Sequence, residues 1–338
     1  MISSLPGYLA ERSEALNNCP PHEQGEFVLY WAHHALRAHE NPALEAAAHF
    51  ALQLKRPLLV YQGLGGRHRY HSDRHHRFIL ESARDFAEEL SDLGLKLAFH
   101  LPASPAEPGP IRQLITRSSI IISELYPVPP FPHWYEQHVS RNPHKPWLLV
   151  DASCNLPLPA RDNCLTRAYQ FRQKNMPEIR ERIRREWPTP LEWPEPYTGN
   201  PGFEPFDLAS SLDEAIARCA IDHSIPPVAD TPGGSQAGYG RWQDFRNTRL
   251  DNYEHLRNDA ALPSAVSRMS AYLHYGCVSP FRIAREADST GSESSAKFLD
   301  ELLTWRELNH HFCFHTRNLE SLDALPDWAK TTLREHEQ

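Results

Sequence analysis

The sequence predicts an α/β fold: a parallel-sheet, Rossmann-like domain on the N-terminal side, followed by an all-helical domain. Three observations predict it. Between residues 27 and 150, short apolar runs rich in β-formers alternate with helical stretches, the pattern of a parallel sheet covered by helices on both faces. From Pro232 onward apolar residues recur only at helical spacing. Between these regions, Trp187 to Pro232 holds nine prolines in 46 residues, which excludes long regular elements.

The elements follow in order. Phe27 to Trp31 (FVLYW) is a strand, and Ala43 to Leu54 a helix with apolar residues three and four apart. Pro57 to Leu64 (PLLVYQGL) is a second strand, ended by Gly65-Gly66. Phe78 to Leu93 is amphipathic, with Phe78, Ile79, Ala83, Phe86, Leu90 and Leu93 on one face. Leu95–Leu101, Ser119–Leu125 and Trp147–Asp151 complete the strands, with a short helix at Ile111–Arg117. Residues 161–186 carry eight Arg/Lys against four Asp/Glu, a local +4, on a helix from Arg167. A short helix, Ser211 to Ala220, interrupts the proline-rich segment. The helical region then runs through Tyr239–Leu256, Ser270–Tyr275, Phe281–Ala287 and Phe298–Phe314. The expected boundaries are an N-terminal extension at 1–26, the α/β domain at 27–160, a basic helix and connector at 161–231, and the helical domain at 232–338.

Composition narrows the function. Lys+Arg 35 and Asp+Glu 43 leave a net charge of −8, which disfavours a general nucleic-acid coat while leaving room for a local basic groove. No apolar run approaches a membrane span, and the first residues lack the apolar core of a secretory signal. The six cysteines form no CxxC pair, as expected of reduced thiols in the cytoplasm.

Motif chemistry excludes more than it assigns. There is no GxxxxGK[ST], and Gly63-Leu64-Gly65 meets His68 where a dinucleotide fingerprint needs a third glycine. His68, His71, His75 and His76 lack the carboxylate or cysteine pair of a metal motif and read as a solvated loop. Three segments remain. Arg249-Leu-Asp-Asn-Tyr253 places a cation and a phenol on successive helical turns. Ser267 to Gly276 brings hydroxyls and backbone N–H groups to a helix start, a way to hold phosphate without a P-loop. Glu301 and Trp305 are four apart on one face, a carboxylate beside a large aromatic that suits a planar, hydrogen-bonding ligand such as a base. Each also has a bland explanation, as capping serines, a core tryptophan, or a solvated Glu301–Arg306 pair.

Several blocks together resemble a known family. VLYWAHHALRAHENPAL (Val28 to Leu44), LVDASCNLPLP with AYQFRQK, PGG (Pro232 to Gly234), RLDNYEHLRND, SRMSAYLHYGCVSP, FLDELLTWRELNHHFCF and LPDWAKTTL occur in succession. They are similar to the photolyase/cryptochrome family, specifically the class II cyclobutane-pyrimidine-dimer DNA photolyases. The resemblance implies an α/β antenna domain and a helical domain of FAD-binding type. It implies light-driven flavin electron transfer that splits pyrimidine dimers in UV-damaged DNA, with FAD and an antenna chromophore of deazaflavin type as cofactors. Carried over by position, Tyr253 touches the FAD phosphates. Val266, Ser267, Arg268, Met269 and Ser270 form the pyrophosphate loop, and Arg306 lies under the flavin. Glu301 and Trp305 contact the dimer.

The chain departs from that pattern in places. Val266 and Ala271 replace the usual hydroxyl and proline, residues 78–82 lack a glycine, and His310-His311 replaces small and acidic residues. The chain also ends shortly after the D-W-A-x-x-T-L segment, so only the N-terminal part of the helical domain is expected. Two readings stay open: a photolyase-type flavoprotein completed by a second polypeptide, or a non-catalytic photolyase/cryptochrome-like binding or sensory module, or gene remnant, that does not hold flavin productively.

Overall fold

A computed structural model describes residues 1–338 other than 66–69, 103, 105, 106, 164, 317 and 338; His68 and Cys164 therefore lie outside the described residues. The apolar runs become a six-stranded sheet. Its strands are β1 (Ser13–Ala15), β2 (Phe27–Trp31), β3 (Leu58–Gly63), β4 (Leu97–His100), β5 (Ser118–Glu124) and β6 (Trp147–Val150), in the order β1-β6-β5-β2-β3-β4. All pairings are parallel except β1 with β6. Every residue of β2, β5 and β6 is buried, as a sheet covered on both faces requires.

The helices of this half are α1 (Gly7–Ala10), α2 (Pro42–Leu54), α3 (Asp73–Asp92), α4 (Ile111–Arg117) and α5 (Phe131–Arg141). Asn41 starts α2, its side chain accepting from the amides of Ala43 and Leu44, with Pro42 at the first position. Several elements exceed the sequence reading: α1 and β1 lie in the segment expected to be an extension, and α5 in a stretch left unassigned. The histidine segment is also corrected. α3 begins at Asp73, His76 is buried, and the rings of His71 and His75 stack 4.8 Å apart. Packing against Tyr275, 6.2 Å from His75, draws this segment inward in place of the expected solvated loop.

The connector is docked along the sheet. Residues 195–197 pair with Leu58, and Phe206 donates its amide to the Phe99 carbonyl. α6 (Ala168–Ile183) precedes the proline-rich stretch and α7 (Leu212–Ala217) interrupts it, burying Leu212 and Ile216 against α3. The remaining helices are α8 (Ser235–Thr248), α9 (Tyr253–Leu256), α10 (Ser270–His274), α11 (Pro280–Asp288), α12 (Glu293–Leu299), α13 (Arg306–His315) and α14 (Asp327–Glu335). A π-helical turn, Asp300–Trp305, joins α12 to α13, so the single helix expected over 298–314 carries an insertion of this kind. None of the residues of α14 is buried. No helix of the described residues is long and apolar enough to cross a membrane.

One apolar cluster runs from the sheet through α2 and α3 into α8, α11 and α12, so the two halves share a core. Gly276 sits at one of its close approaches. Its φ is +64° and a Cβ there would lie 2.0 Å from the His34 carbonyl oxygen. Gly276→Ala is expected to destabilise the protein by about 2–3 kcal/mol through left-handed strain and overlap. Urea unfolding checks this; a midpoint equal to that of the parent chain would refute it.

Candidate functional site

Parallel sheets of this order offer a crevice where the strand order reverses, beyond the carboxyl ends of neighbouring strands. Here that point lies between β2 and β5. Side chains fill it. His34 is buried, its ring 3.9 Å from Tyr126, 4.4 Å from Phe131 and 5.2 Å from His274. Burial pushes His33 down to about 3 and His34 and His310 well below the usual histidine range. Imidazoles from both halves, His33 and His34 from the chain leaving β2 and His274 and His310 from the helical half, thus plug the crevice.

The sequence-predicted residues gather elsewhere, on α9 and the π turn. α8 ends at Thr248 and a short 3-10 turn intervenes before Tyr253. Arg249 and Tyr253 therefore do not share successive turns of one helix, as the spacing predicted. Tyr253 is buried between Phe245 and Phe298, with ring centroids 5.8 and 5.6 Å away. Burial raises its phenol, and the charge of Glu301 adds to the effect.

Glu301 is half-buried and paired with Arg257 (3.1 Å) and Lys297 (2.8 Å). Neither cation is apparent from the motif: Arg257 comes from the end of α9, and Lys297 from the turn before. Trp305 remains 46% exposed, leaving a carboxylate and an open indole on one short turn. π turns of this kind cluster at functional sites. Arg306 donates to the Ser153 carbonyl at 2.7 Å and so binds the α/β half; it does not pair with Glu301. Its neighbour Glu307 is wholly buried and accepts from the amides of Asn155 (2.7 Å) and Leu156 (3.0 Å). Burial pushes Glu307 up to about 7.

Val266 to Ser270 form a loop and a helix start. Arg268 has φ +53° and Met269 is right-handed helical. Such alternation turns successive amides toward one concavity, a nest for an anion. No hydrogen bond among the described residues engages the amides of Val266, Ser267, Arg268 or Met269, or the hydroxyls of Ser267 and Ser270. This donor set fits a diphosphate. The Arg268 side chain turns away to Asp230, at 2.6 and 3.0 Å, and holds that carboxyl down to about 2. Val266 is exposed and Met269 buried. No hydrogen bond or ion pair of the described residues joins the loop to Glu301, Trp305 or Arg306; the two share only the apolar cluster that holds Met269, Tyr253 and Leu302.

The basic α6 region keeps little free charge. Arg161, Arg172, Arg182, Arg184 and Arg185 are paired with carboxylates. These pairs neutralise most of the patch; among the described residues, Arg167, Lys174 and Arg180 are its cations without a carboxylate partner.

The DNA photolyase family model matches residues 28–111. A deoxyribodipyrimidine photo-lyase of Methanothermobacter thermautotrophicus is 27% identical over 97% of this chain and 70% of its own length. That of Potorous tridactylus is 29% identical over 94% of this chain and 59% of its own, and that of Arabidopsis thaliana 27% over 91% and 63%. The chain therefore spans 59–70% of the length of these relatives. Among solved structures, a bacterial class III photolyase from Agrobacterium tumefaciens aligns with TM-score 0.58 at 17% identity, over 94% of this chain and 65% of that one. An archaeal photolyase from Sulfolobus tokodaii, described with two FAD molecules, aligns at 0.57 and 16%, over 85% and 59%. With the sheet order, the helical half packed on its switch point and these likenesses across most of the sequence, the chain is similar to the photolyase family in both sequence and fold.

Proposed function

We propose that the chain serves class II-type repair of cyclobutane pyrimidine dimers in UV-damaged DNA, with FAD held by its helical half. The observation that carries this reading is the nest at Arg268–Met269, whose amides and flanking Ser267 and Ser270 hydroxyls have no hydrogen-bond partner among the described residues and match a diphosphate. When bound, FAD supplies the light-driven electron. The residues of this chain supply position and charge. Glu301 accepts N–H donors from the edge of an extruded base, and the exposed Trp305 gives that base a surface to stack on. Arg257 and Lys297, next to Glu301, offset negative charge arriving at that edge. Arg306 would reach the flavin with the N–H groups that its Nη1 bond to Ser153 leaves over. The second reading, a module that binds without catalysis, is favoured by that bond, since it holds Arg306 against the α/β half.

The test is light-dependent loss of dimers from irradiated DNA with FAD supplied and reduced. The parent chain should repair, and Glu301→Ala should lower the rate about 100-fold by removing one preorganised polar group. Equal rates in the two would defeat the assignment of Glu301. Flavin retained on the chain without any dimer loss would favour the non-catalytic reading. Binding of undamaged duplex should be weak, because carboxylates neutralise most of the α6 region's cations.

A further inference from the structure

α8 has a second face that the flavin reading does not use. Ala237, Gly240, Arg241 and Asp244 recur at three- and four-residue spacing, about a third of a turn around the helix from Trp242 and Phe245, which face the core. With Arg249 and Tyr272 they line an open groove of about 350 Å³, a volume in the range of small-molecule sites. Gly240 opens it, since a Cβ there would meet nothing within 4 Å.

The donors around the groove exceed the acceptors. The Nε–H groups of Arg241 and Arg249 are both buried without a hydrogen-bond partner. Arg249 pairs with Asp244, and Arg241 bonds to the Asp230 carbonyl. Three guanidinium groups, of Arg241, Arg249 and Arg268, face two carboxylates, of Asp230 and Asp244, which leaves the rim at +1. Both Nε–H groups are therefore free to donate to an acceptor that enters the groove. Arginine forks match phosphate oxygens bidentately, and the surface pairs that now hold them are weak enough to exchange.

We propose that this groove binds a small phosphate-bearing anion of nucleoside-diphosphate size, held by Arg241 and Arg249. A lone phosphate would leave most of the volume empty. A DNA backbone would call for a row of open cations, and here each guanidinium has a protein partner, two of them carboxylates. Two sources share the chemistry, an inorganic diphosphate and a nucleotide, and calorimetric titration of the full chain with pyrophosphate, ADP and adenosine separates them. ADP should bind saturably and adenosine should not; binding of pyrophosphate as tight as that of ADP would identify the inorganic anion as sufficient. Arg241→Gln and Arg249→Gln should each weaken binding at least about tenfold, the loss of a charged hydrogen bond. Gly240→Glu, which places a carboxylate in open space, should abolish binding, and Gly240→Ala should preserve it. Three results would overturn the proposal. One is no saturable binding of either diphosphate. Another is binding that survives both arginine variants and Gly240→Glu but is lost in Ser267→Ala/Ser270→Ala, which would place the ligand on the flavin nest. The third is arginine-dependent binding of a short undamaged duplex that ADP cannot displace, which would make the groove a backbone contact.

Discussion

Arg37→Met should destabilise the protein by about 3–5 kcal/mol, the scale for stripping partners from a buried charged network. Arg37 is fully buried. Its guanidinium donates to the carbonyls of Gly276 (2.9 Å), Glu40 (3.0 Å) and Ala152 (3.0 Å). Those carbonyls come from three places: the helical half, the loop before α2, and the chain leaving β6. Burial lowers the pKa of Arg37, with nearby Tyr239 and Glu40 opposing it, so the group is a desolvated cation held mostly by carbonyl dipoles. Methionine fills the volume but leaves three buried acceptors without donors, each worth about 1–3 kcal/mol when unpaired. Arg37→Lys should recover only part of the loss, since one ammonium cannot span three carbonyls as the planar fork does. Urea unfolding followed by tryptophan fluorescence measures both variants. A methionine variant within about 1 kcal/mol of the parent chain, the worth of an ordinary net hydrogen bond, would show that Arg37 does not join the halves.

Arg37 also marks where sequence reading stops. Within its loop it reads as one more solvated cation, because its three acceptors lie up to 239 residues away in the chain. The strands were legible because burial on both faces forces continuous apolar runs, as at Phe27–Trp31 and Ile120–Ile122. α4 was legible to the residue, Ile111–Arg117. α5 was not, since the prolines before and within its first turn read as breakers, although proline is tolerated there. β1 is three residues of mixed polarity at a sheet edge and carries no periodic signal. In the candidate site, the blocks around Tyr253, Ser267 and Glu301 stood out by chemistry. Which partners they take did not: the Arg257–Glu301 pair, the turn of Arg268 toward Asp230 and the π turn are products of packing. The left-handed φ of Arg268 was hidden for another reason, since arginine gives no conformational cue of the kind glycine does.

The histidine plug at the switch point leads to the second large effect, which depends on pH. A histidine held below its unfolded pKa of about 6.5 contributes nothing above that pH, where both states are neutral. As pH falls, the unfolded chain takes up a proton that the folded chain refuses, and stability drops by about 1.4 kcal/mol per pH unit for each such group. His34 and His310 are of this kind. Burial is the first cause for both; His33, His274 and His310 act against a charge on His34, and Arg306, His274 and His311 against one on His310. Both ring nitrogens of His34 and Nδ1 of His310 lack an aligned hydrogen bond; His34 has only a weak polar contact to the backbone of His274. The total pH profile mixes in groups of opposite sign. Glu45 and Glu307, raised to about 7 by burial, favour the fold as they take up protons below that pH. The difference between the parent chain and His34→Leu/His310→Leu removes those shared contributions. At pH 7 the pair of substitutions should be near neutral, relief of unpaired nitrogens offsetting lost ring contacts of about 0.5–1.5 kcal/mol each. By pH 5 the variant should be more stable than the parent by about 4 kcal/mol, two protons over about 1.5 pH units. Its acid unfolding midpoint should lie correspondingly lower. Stability curves measured at several pH values decide it: parallel profiles for the two proteins would mean that His34 and His310 accept protons in the fold, and that the crevice they fill is open to water.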